Sequence, residues 1–269
     1  MDLRGASAEA LADLTTKLGE AINSAKGAAA LGEELFVVSR LLRAEPGLRR
    51  YATDASLSAQ AKQGMVQEVF KGRLGGAPLE LLTEAAGRRW TLSRDLPDVL
   101  ERLSEIAVVK SAGAHGGQVI DELFDLAQIV NGDPQLRDAL SDPARSEDDK
   151  AALLDSLLDG KALPATVTLA KQALAGTYRT VPAALATYRQ VAADVQGEAV
   201  ATVRVARPLS AADQKKLAEL LGRQYDKTVH LNVVVDPDVL GGVRVEIGDQ
   251  VIDGTIASRL DDARRRLVG

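Results

Sequence analysis

The sequence predicts a mainly α protein: two tandem all-helical bundles followed by a small α+β domain of β-α-β-β-α order. Three observations carry this. Apolar residues recur at helical spacing over residues 1–196. That stretch matches itself at an offset near 88 residues, since Leu123 follows Leu35 by 123 − 35 = 88. After Gln196-Gly197 the apolar period becomes two. A chain of 269 residues is long for one domain at roughly 150 residues each. The expected domains are 1–110, 111–196 and 197–269.

The elements follow in order. Leu11, Leu14, Leu18 and Ile22 form one stripe; Leu31, Leu35, Val38 and Leu42 form the next, ended by Pro46-Gly47. Ser58 is placed to cap a helix, with Leu57 before it and Met65, Val66, Val69 and Phe70 along it. Gly75-Gly76-Ala77-Pro78 breaks the chain, and two helices are expected at about 79–92 and 96–110. The repeat then begins. Glu34-Leu35-Phe36 recurs as Glu122-Leu123-Phe124, Pro46 as Pro134, Leu48-Arg49 as Leu136-Arg137, Ser58 as Ser146, Lys62 as Lys150 and Gly72 as Gly160. The offset drifts to 164 − 78 = 86 and 182 − 97 = 85 at the later prolines. The joint between copies is expected at residues 111–117, a Gly-rich stretch. Beyond it, Ala199, Ala201, Val203 and Val205 alternate as a strand, and Ser210 caps a helix with Asp213 three residues on and Leu217, Leu220, Leu221 and Tyr225 on one side. Val229 to Val235 and Val243 to Ile247 alternate again, and Ile256, Leu260, Ala263 and Leu267 read as a closing helix.

Composition excludes several functions. Lys+Arg is 33 and Asp+Glu 38, a net charge of −5, and aromatics are 3%. Such a chain is poorly suited to nucleic acid, which needs clustered cations and stacking rings. With no cysteine there is no disulfide, thiolate metal site or thiol nucleophile. No run approaches the roughly 18 apolar residues of a membrane span, and Met1-Asp2-Leu3-Arg4-Gly5 does not open a secretory signal.

No constellation carries chemistry. His115 lies in the Gly-rich joint and His230 in a strand, with neither a His-x-x-x-His pair nor a Gly-x-Ser-x-Gly elbow. Asp236 and Asp238 flank a proline and read as a turn. Gly160-Lys161 lacks the upstream glycine and following Ser/Thr of a phosphate loop. Gly241-Gly242 reads as a bulge or sharp hairpin. Arg264-Arg265-Arg266 fits the last turn of a helix, where cations offset the dipole. The adjacent pairs Asp148-Asp149 and Asp261-Asp262 do not face each other on a helix. No catalytic residue, cofactor or metal is expected.

The run Val235-Asp236-Pro237-Asp238-Val239-Leu240-Gly241-Gly242-Val243-Arg244-Val245-Glu246-Ile247-Gly248-Asp249-Gln250-Val251-Ile252-Asp253-Gly254-Thr255, followed by Ser258-Arg259-Leu260, closely resembles the signature of the F-type ATP synthase delta subunit and oligomycin-sensitivity-conferring protein family. Leu140-Ser141-Asp142-Pro143, Lys150 and Ala206-Arg207-Pro208-Leu209-Ser210 fall where the family has similar segments, so residues from about 117 to 269 resemble a conventional chain of this family. The front departs from it: Ala8-Glu9-Ala10-Leu11 only echoes the usual Tyr-Ala-x-Ala-Leu, and an extra helical copy precedes the match. The resemblance implies a non-catalytic stator subunit of the proton-translocating ATP synthase, on the cytoplasmic face of the plasma membrane without direct membrane insertion. It would link the alpha/beta head to a separate b-type peripheral stalk, so that rotor torque drives ATP synthesis. By analogy with the family, the alpha-subunit N-terminal helices would lie between the first and fifth helices of a helical domain. In the front copy this points to Leu11, Leu14, Leu18, Ile22, Leu79, Leu82, Ala86 and Trp90, with Trp90 the best single anchor. In the second copy it points to Val167, Leu169, Ala170 and Leu174, with the helix at about 96–110 as facing wall. Each of these residues is also a core candidate. Stalk binding and the signature would involve Leu240, Gly241, Gly242, Val243, Val251, Ile252, Arg259 and Leu260. The alternative is a helical nucleic-acid adaptor of the antitermination type, marked by salt-sensitive RNA binding. Whether both copies grip the head, or one is a spacer, stays open at this level.

Overall fold

The structure is a computed structural model that describes residues 3–237, 239, 241–248 and 250–255. The chain divides into two compact units, residues 1–191 and 192–269.

The first unit is helical. Its front half holds α1 (Ala6–Ala21), α2 (Ala25–Ala44), α3 (Pro46–Thr53), α4 (Ala59–Phe70) and α5 (Gly76–Gly87), followed by α6 (Asp95–Ser111). After one 3-10 turn at Gly113–His115 come α7 (Gly116–Gly132), α8 (Pro134–Ser141), α9 (Glu147–Leu158), α10 (Pro164–Ala175) and α11 (Val181–Gln196), which carries the chain into the second unit. The boundaries of three helix pairs keep one offset: 134 − 46 and 141 − 53, 147 − 59 and 158 − 70, 164 − 76 and 175 − 87 all equal 88.

The same local devices set those ends. The Ser58 hydroxyl accepts from the Ala61 amide (3.2 Å) and that of Ser146 from the Asp149 amide (3.1 Å), each satisfying an open N-terminal donor. Gly72 and Gly160 take positive φ of 74° and 65° where α4 and α9 turn off. The Glu34 carboxylate accepts from the Gly75 amide (2.7 Å) and that of Glu122 from the Leu163 amide (2.9 Å), 88 residues on in both partners. Asp54 and Asp142 each accept the amide two residues ahead, at 2.8 Å.

The sequence places a helix over 79–92, whereas α5 stops at Gly87. Arg88 takes an extended ψ of 168°, and the Trp90 indole turns back to donate to the Ala85 carbonyl at 3.0 Å. The Ala85 carbonyl thus accepts both the Arg88 amide (3.1 Å) and the indole where the helix ends.

The helix α6 is buried nearly all round, with Leu96, Val99, Leu100, Leu103, Ala107 and Val109 all solvent-free. It packs on α1, α2, α3 and α5 of the front half and on α7 and α10 of the rear. Such an element is core on every face. Its crossing with α2 is close because residue 32 is glycine; a Cβ there would lie 2.6 Å from Val108 Cγ2 and 3.1 Å from the Ser104 carbonyl.

The second unit is a four-stranded sheet of order β2-β1-β3-β4 with one described helix. The strand β1 (Ala199–Val205) runs parallel to β2 (Val229–Val235), after the crossover helix α12 (Ala211–Tyr225), and antiparallel to β3 (Val243–Ile247). The edge strand β4 (Gln250–Asp253) pairs antiparallel with β3. Ala201, Val203, Val205, Val245 and Ile247 form the core with Leu221, while Leu220 faces out. The Gly248 turn with φ 55° folds β4 back, so Val251-Ile252 is a fourth strand beyond the expected three. The expected closing helix on Ile256, Leu260, Ala263 and Leu267 lies outside the described residues.

Candidate partner-binding surfaces

A front and a rear groove open at matching positions of the helical unit. The front one, about 810 Å³, lies between Lys17, Glu20 and Ala21 of α1, Gly64, Gln67 and Glu68 of α4 with Lys71 just after it, and Leu79, Glu80 and Glu84 of α5. Ion pairs lace its α1–α5 seam: Lys17 to Glu84 at 3.1 Å, Arg88 to Asp13 at 2.7 Å and Arg88 to Glu84 at 2.8 Å. Partial burial pushes the Glu84 carboxyl up, but Lys17 and Arg88 more than offset this and hold it below the usual range. The rear groove, about 580 Å³, is lined by α9, α10 and the turn between them. Its Asp155, Ser156, Asp159, Pro164, Val167 and Thr168 each stand 88 residues after a front-groove residue, as in 155 − 67 and 168 − 80. Lys171 reaches Asp155 at 2.6 Å across it.

The residues expected at the head-binding surface divide by depth. Leu79 lines the front groove and Val167 the rear one. Leu14, Leu18, Leu82, Ala86, Leu169 and Ala170 lie in the core. Leu11, Ile22, Trp90 and Leu174 are half-buried. The front groove sets six charged side chains, Lys17, Glu20, Glu68, Lys71, Glu80 and Glu84, among small and apolar ones, and an apolar stripe does not announce them. Their signal was the Glu and Lys spacing on the outer faces of α1 and α5.

A polar cluster sits inside α6. Glu101 and Glu105, one helical turn apart, are both solvent-free. Glu101 pairs with Arg43 of α2 and accepts the Thr177 amide at 3.0 Å. Glu105 pairs with Arg102 at 2.9 Å and accepts the Tyr178 hydroxyl at 2.8 Å. Burial pushes the Glu105 carboxyl up to about 7, against the pull of Arg102 and Tyr178. Two acids on a Leu/Val-rich helix were the available signal.

The other residues singled out by sequence fall into local structure. His115 is exposed on the 3-10 turn, and His230 on β2 lies 3.8 Å from Glu198. Lys161 follows the Gly160 turn, and its ammonium donates to the Leu157 carbonyl at 3.2 Å. Asp148 and Asp149 open α9 beside the Ser146 cap. The Asp236 carbonyl accepts the Val239 amide at 3.1 Å, a tight turn. Asp238, Asp261, Asp262 and Arg264 to Arg266 lie outside the described residues.

On the second unit the signature residues build a crossing. Gly241 and Gly242 have φ of 72° and 84°, and a Cβ on Gly242 would sit 2.5 Å from the Gly254 carbonyl oxygen and 2.8 Å from Thr255 Cα. The Gly254 amide donates to the Val243 carbonyl at 2.9 Å. Thr255 donates to Asp253 through both its hydroxyl (2.7 Å) and its amide (3.0 Å), and these bonds hold the Asp253 carboxyl below its usual range. The glycines therefore let two backbone segments touch, which no other residue allows. Val243 is half-buried; Val251 and Ile252 are exposed on β4, at the edge of the described sheet. Leu240, Arg259 and Leu260 lie outside the described residues.

The chain matches known proteins along nearly its whole length. The family model described as ATP synthase delta (OSCP) subunit matches residues 103–267. An ATP synthase subunit delta of Nocardioides sp. is 52% identical over 268 residues, covering 99% of this chain and 98% of its own. That of Kineococcus radiotolerans is 45% identical over 252 residues, 91% of each chain. That of Streptomyces avermitilis is 38% identical over 271 residues, 99% of each. These relatives extend over the front helices as well, which precede the family match. The antitermination-type alternative finds no support among them. The chain belongs to the ATP synthase delta (OSCP) subunit family.

Proposed function

We propose that this chain is a non-catalytic stator subunit of the proton-translocating ATP synthase, a clamp between the alpha/beta head and a b-type peripheral stalk. The observation that carries this is family membership along nearly the whole chain, joined to an open groove beside the first and fifth helices. In this reading the front groove receives an N-terminal helix of an alpha subunit, laid helix-in-groove. The second unit receives the stalk, with Val251 and Ile252 on the exposed edge strand as contacts. Holding the head with one unit and the stalk with the other keeps the head from turning with the rotor. Two anchored ends add avidity, so either contact alone can be modest. The shared 88-residue offset of helix ends, caps and turns supports a duplication, one five-helix pattern used twice. No described helix is long and apolar enough to cross a membrane; membrane association, at the cytoplasmic face, would come through the assembled complex.

The test is calorimetric titration of the intact chain with two peptides in turn. One is the N-terminal segment of the alpha subunit; the other is the C-terminal segment of the b-type stalk protein. Both should bind, without competing. A correctly folded chain that ignores both would sink the clamp reading.

A further inference from the structure

The two halves of the helical unit share a pattern but not an open seat. In the front half the α1–α5 seam faces solvent. Its side chains remain 55% exposed at Asp13, 44% at Lys17, 30% at Glu84 and 31% at Arg88. In the rear half the matching seam lies between α6 and α10. Position 84 corresponds to Gln172, since 172 − 84 = 88, and position 88 to Gly176, since 176 − 88 = 88. Gln172 donates to Ser104 of α6 at 3.0 Å, one residue before Glu105, the register mate (105 − 17 = 88) of the Lys17 that meets Glu84 in front. Gly176 lies against Glu101, as Arg88 meets Asp13. Yet Glu101 and Ser104 are fully buried and Gln172 is 4% exposed.

What covers them is α2. The Ser104 hydroxyl passes its hydrogen bond to the Gly32 carbonyl at 2.7 Å, and Arg43 reaches down to pair with Glu101. Gly32 lets the α2 backbone settle on α6 at this point, because any side chain there would strike Val108. The rear groove bears the same mark: it is lined by α9, α10 and their turn, with no residue of α6, whereas α1 supplies a wall of the front groove.

We infer that the rear copy's helix seat is filled from within by α2, and that, among the described residues, the front groove is the one seat of this kind left for a helix of the head. This rests on the head-binding reading above. The chain is then monovalent for such a helix. The front lining sets Lys17 and Lys71 against Glu20, Glu68, Glu80 and Glu84, a net excess of carboxylates. The guest is an amphipathic helix with an apolar stripe for Ala21, Ala77 and Leu79 and basic residues along its edges.

The chain has no cysteine, so single reporters are clean. Full-length Glu84→Cys and Gln172→Cys chains are labelled with a maleimide, alone and with the alpha-subunit N-terminal peptide. Without peptide, the front thiol should react at least about 100-fold faster than the rear one, which reacts only through local opening. Saturating peptide should slow the front thiol by about 10-fold or more and leave the rear rate unchanged. Where Gln172→Cys does not fold, the near-isosteric Ser104→Cys reports the same seam. Comparable rates at the two thiols without peptide would overturn the α2 roof, whatever the peptide does. Peptide protection of the rear thiol, or two peptides bound per chain, would overturn the single seat while leaving the head-binding reading intact. A peptide that shields neither thiol, over a rear seam still closed, would overturn the head-binding reading and the docking it supports, with the roof standing.

Discussion

The front and rear halves of the helical unit carry the same boundaries and differ in what lies over them. Helices α3, α4 and α5 and their counterparts α8, α9 and α10 begin and end 88 residues apart, and α4 and α9 share a serine cap at the start and a left-handed glycine at the end. Local sequence therefore dictates local structure twice, in the same way. The seams differ because a neighbour exists on one side and not on the other. Charged side chains stay solvated in front; behind, buried acids must find an arginine, a tyrosine and backbone amides. Equal local codes yield unequal surfaces once tertiary packing is added.

Substitutions at matched positions test this contrast. The largest effect is expected where the halves should agree. Leu35→Ala and Leu123→Ala, register mates that are both solvent-free, should each cost about 2–5 kcal/mol in chemical denaturation. A loss confined to one of them would break the equivalence of the two cores. The halves should part at the next matched pair. Gly32→Ala drives a Cβ into Val108 and should cost about 1–3 kcal/mol, while also raising the labelling rate at the rear seam. At the mate position, Ile120→Val should cost only about 1 kcal/mol.

The buried acid gives a pH signature. The Glu105 carboxyl rises from 4.5 to about 7 on folding, so the folded chain holds a proton that the unfolded chain releases. Its contribution is constant below pH 4.5, falls as pH rises from 4.5 to about 7, and is flat above. Glu105→Gln should remove that slope and raise stability above pH 7 by up to about 3 kcal/mol. Urea midpoints from pH 4 to 8 for both chains would check it; unchanged slopes would place the proton elsewhere. The smallest effects belong to the caps. Ser58→Ala and Ser146→Ala should each cost about 1 kcal/mol, and thermal unfolding that separated them widely would mean that one helix start is held by something besides its cap.

Much of this was legible in the sequence. The offset of 88, the caps at Ser58, Ser146 and Ser210, and the alternation through Val203, Val233 and Val245 follow from short-range chemistry, and the structure bears them out. The expected drift to 86 at Pro164 does not hold, because α10 begins and ends 88 residues after α5 and Pro164 takes the place of Gly76 rather than Pro78. The end of α5 was not legible, because the chain turns extended at Arg88, whose amide shares the Ala85 carbonyl with the Trp90 indole. The fourth strand was not, because Val251-Ile252 is too short to display a period. An apolar stripe marks a face that is buried without saying by what, so Leu14 and Leu18 read alike as core or as interface. The charged groove walls and the roof over Gln172 are properties of neighbours far apart in the chain, 68 residues between Ser104 and Gln172 and 72 between Gly32 and Ser104.

The all-round burial of α6 has a consequence for modularity. A helix that belongs to the core of both halves cannot be assigned to either when the chain is cut or recombined. A graft that starts at the Gly113–His115 turn would leave the rear helices without their inner wall. One that starts at α6 would carry Glu101 and Glu105 into the new host with no cation from α2 to meet Glu101. A cut at the midpoint therefore costs the rear helices either their inner wall or the α2 arginine that meets Glu101, even though the two halves match in register there.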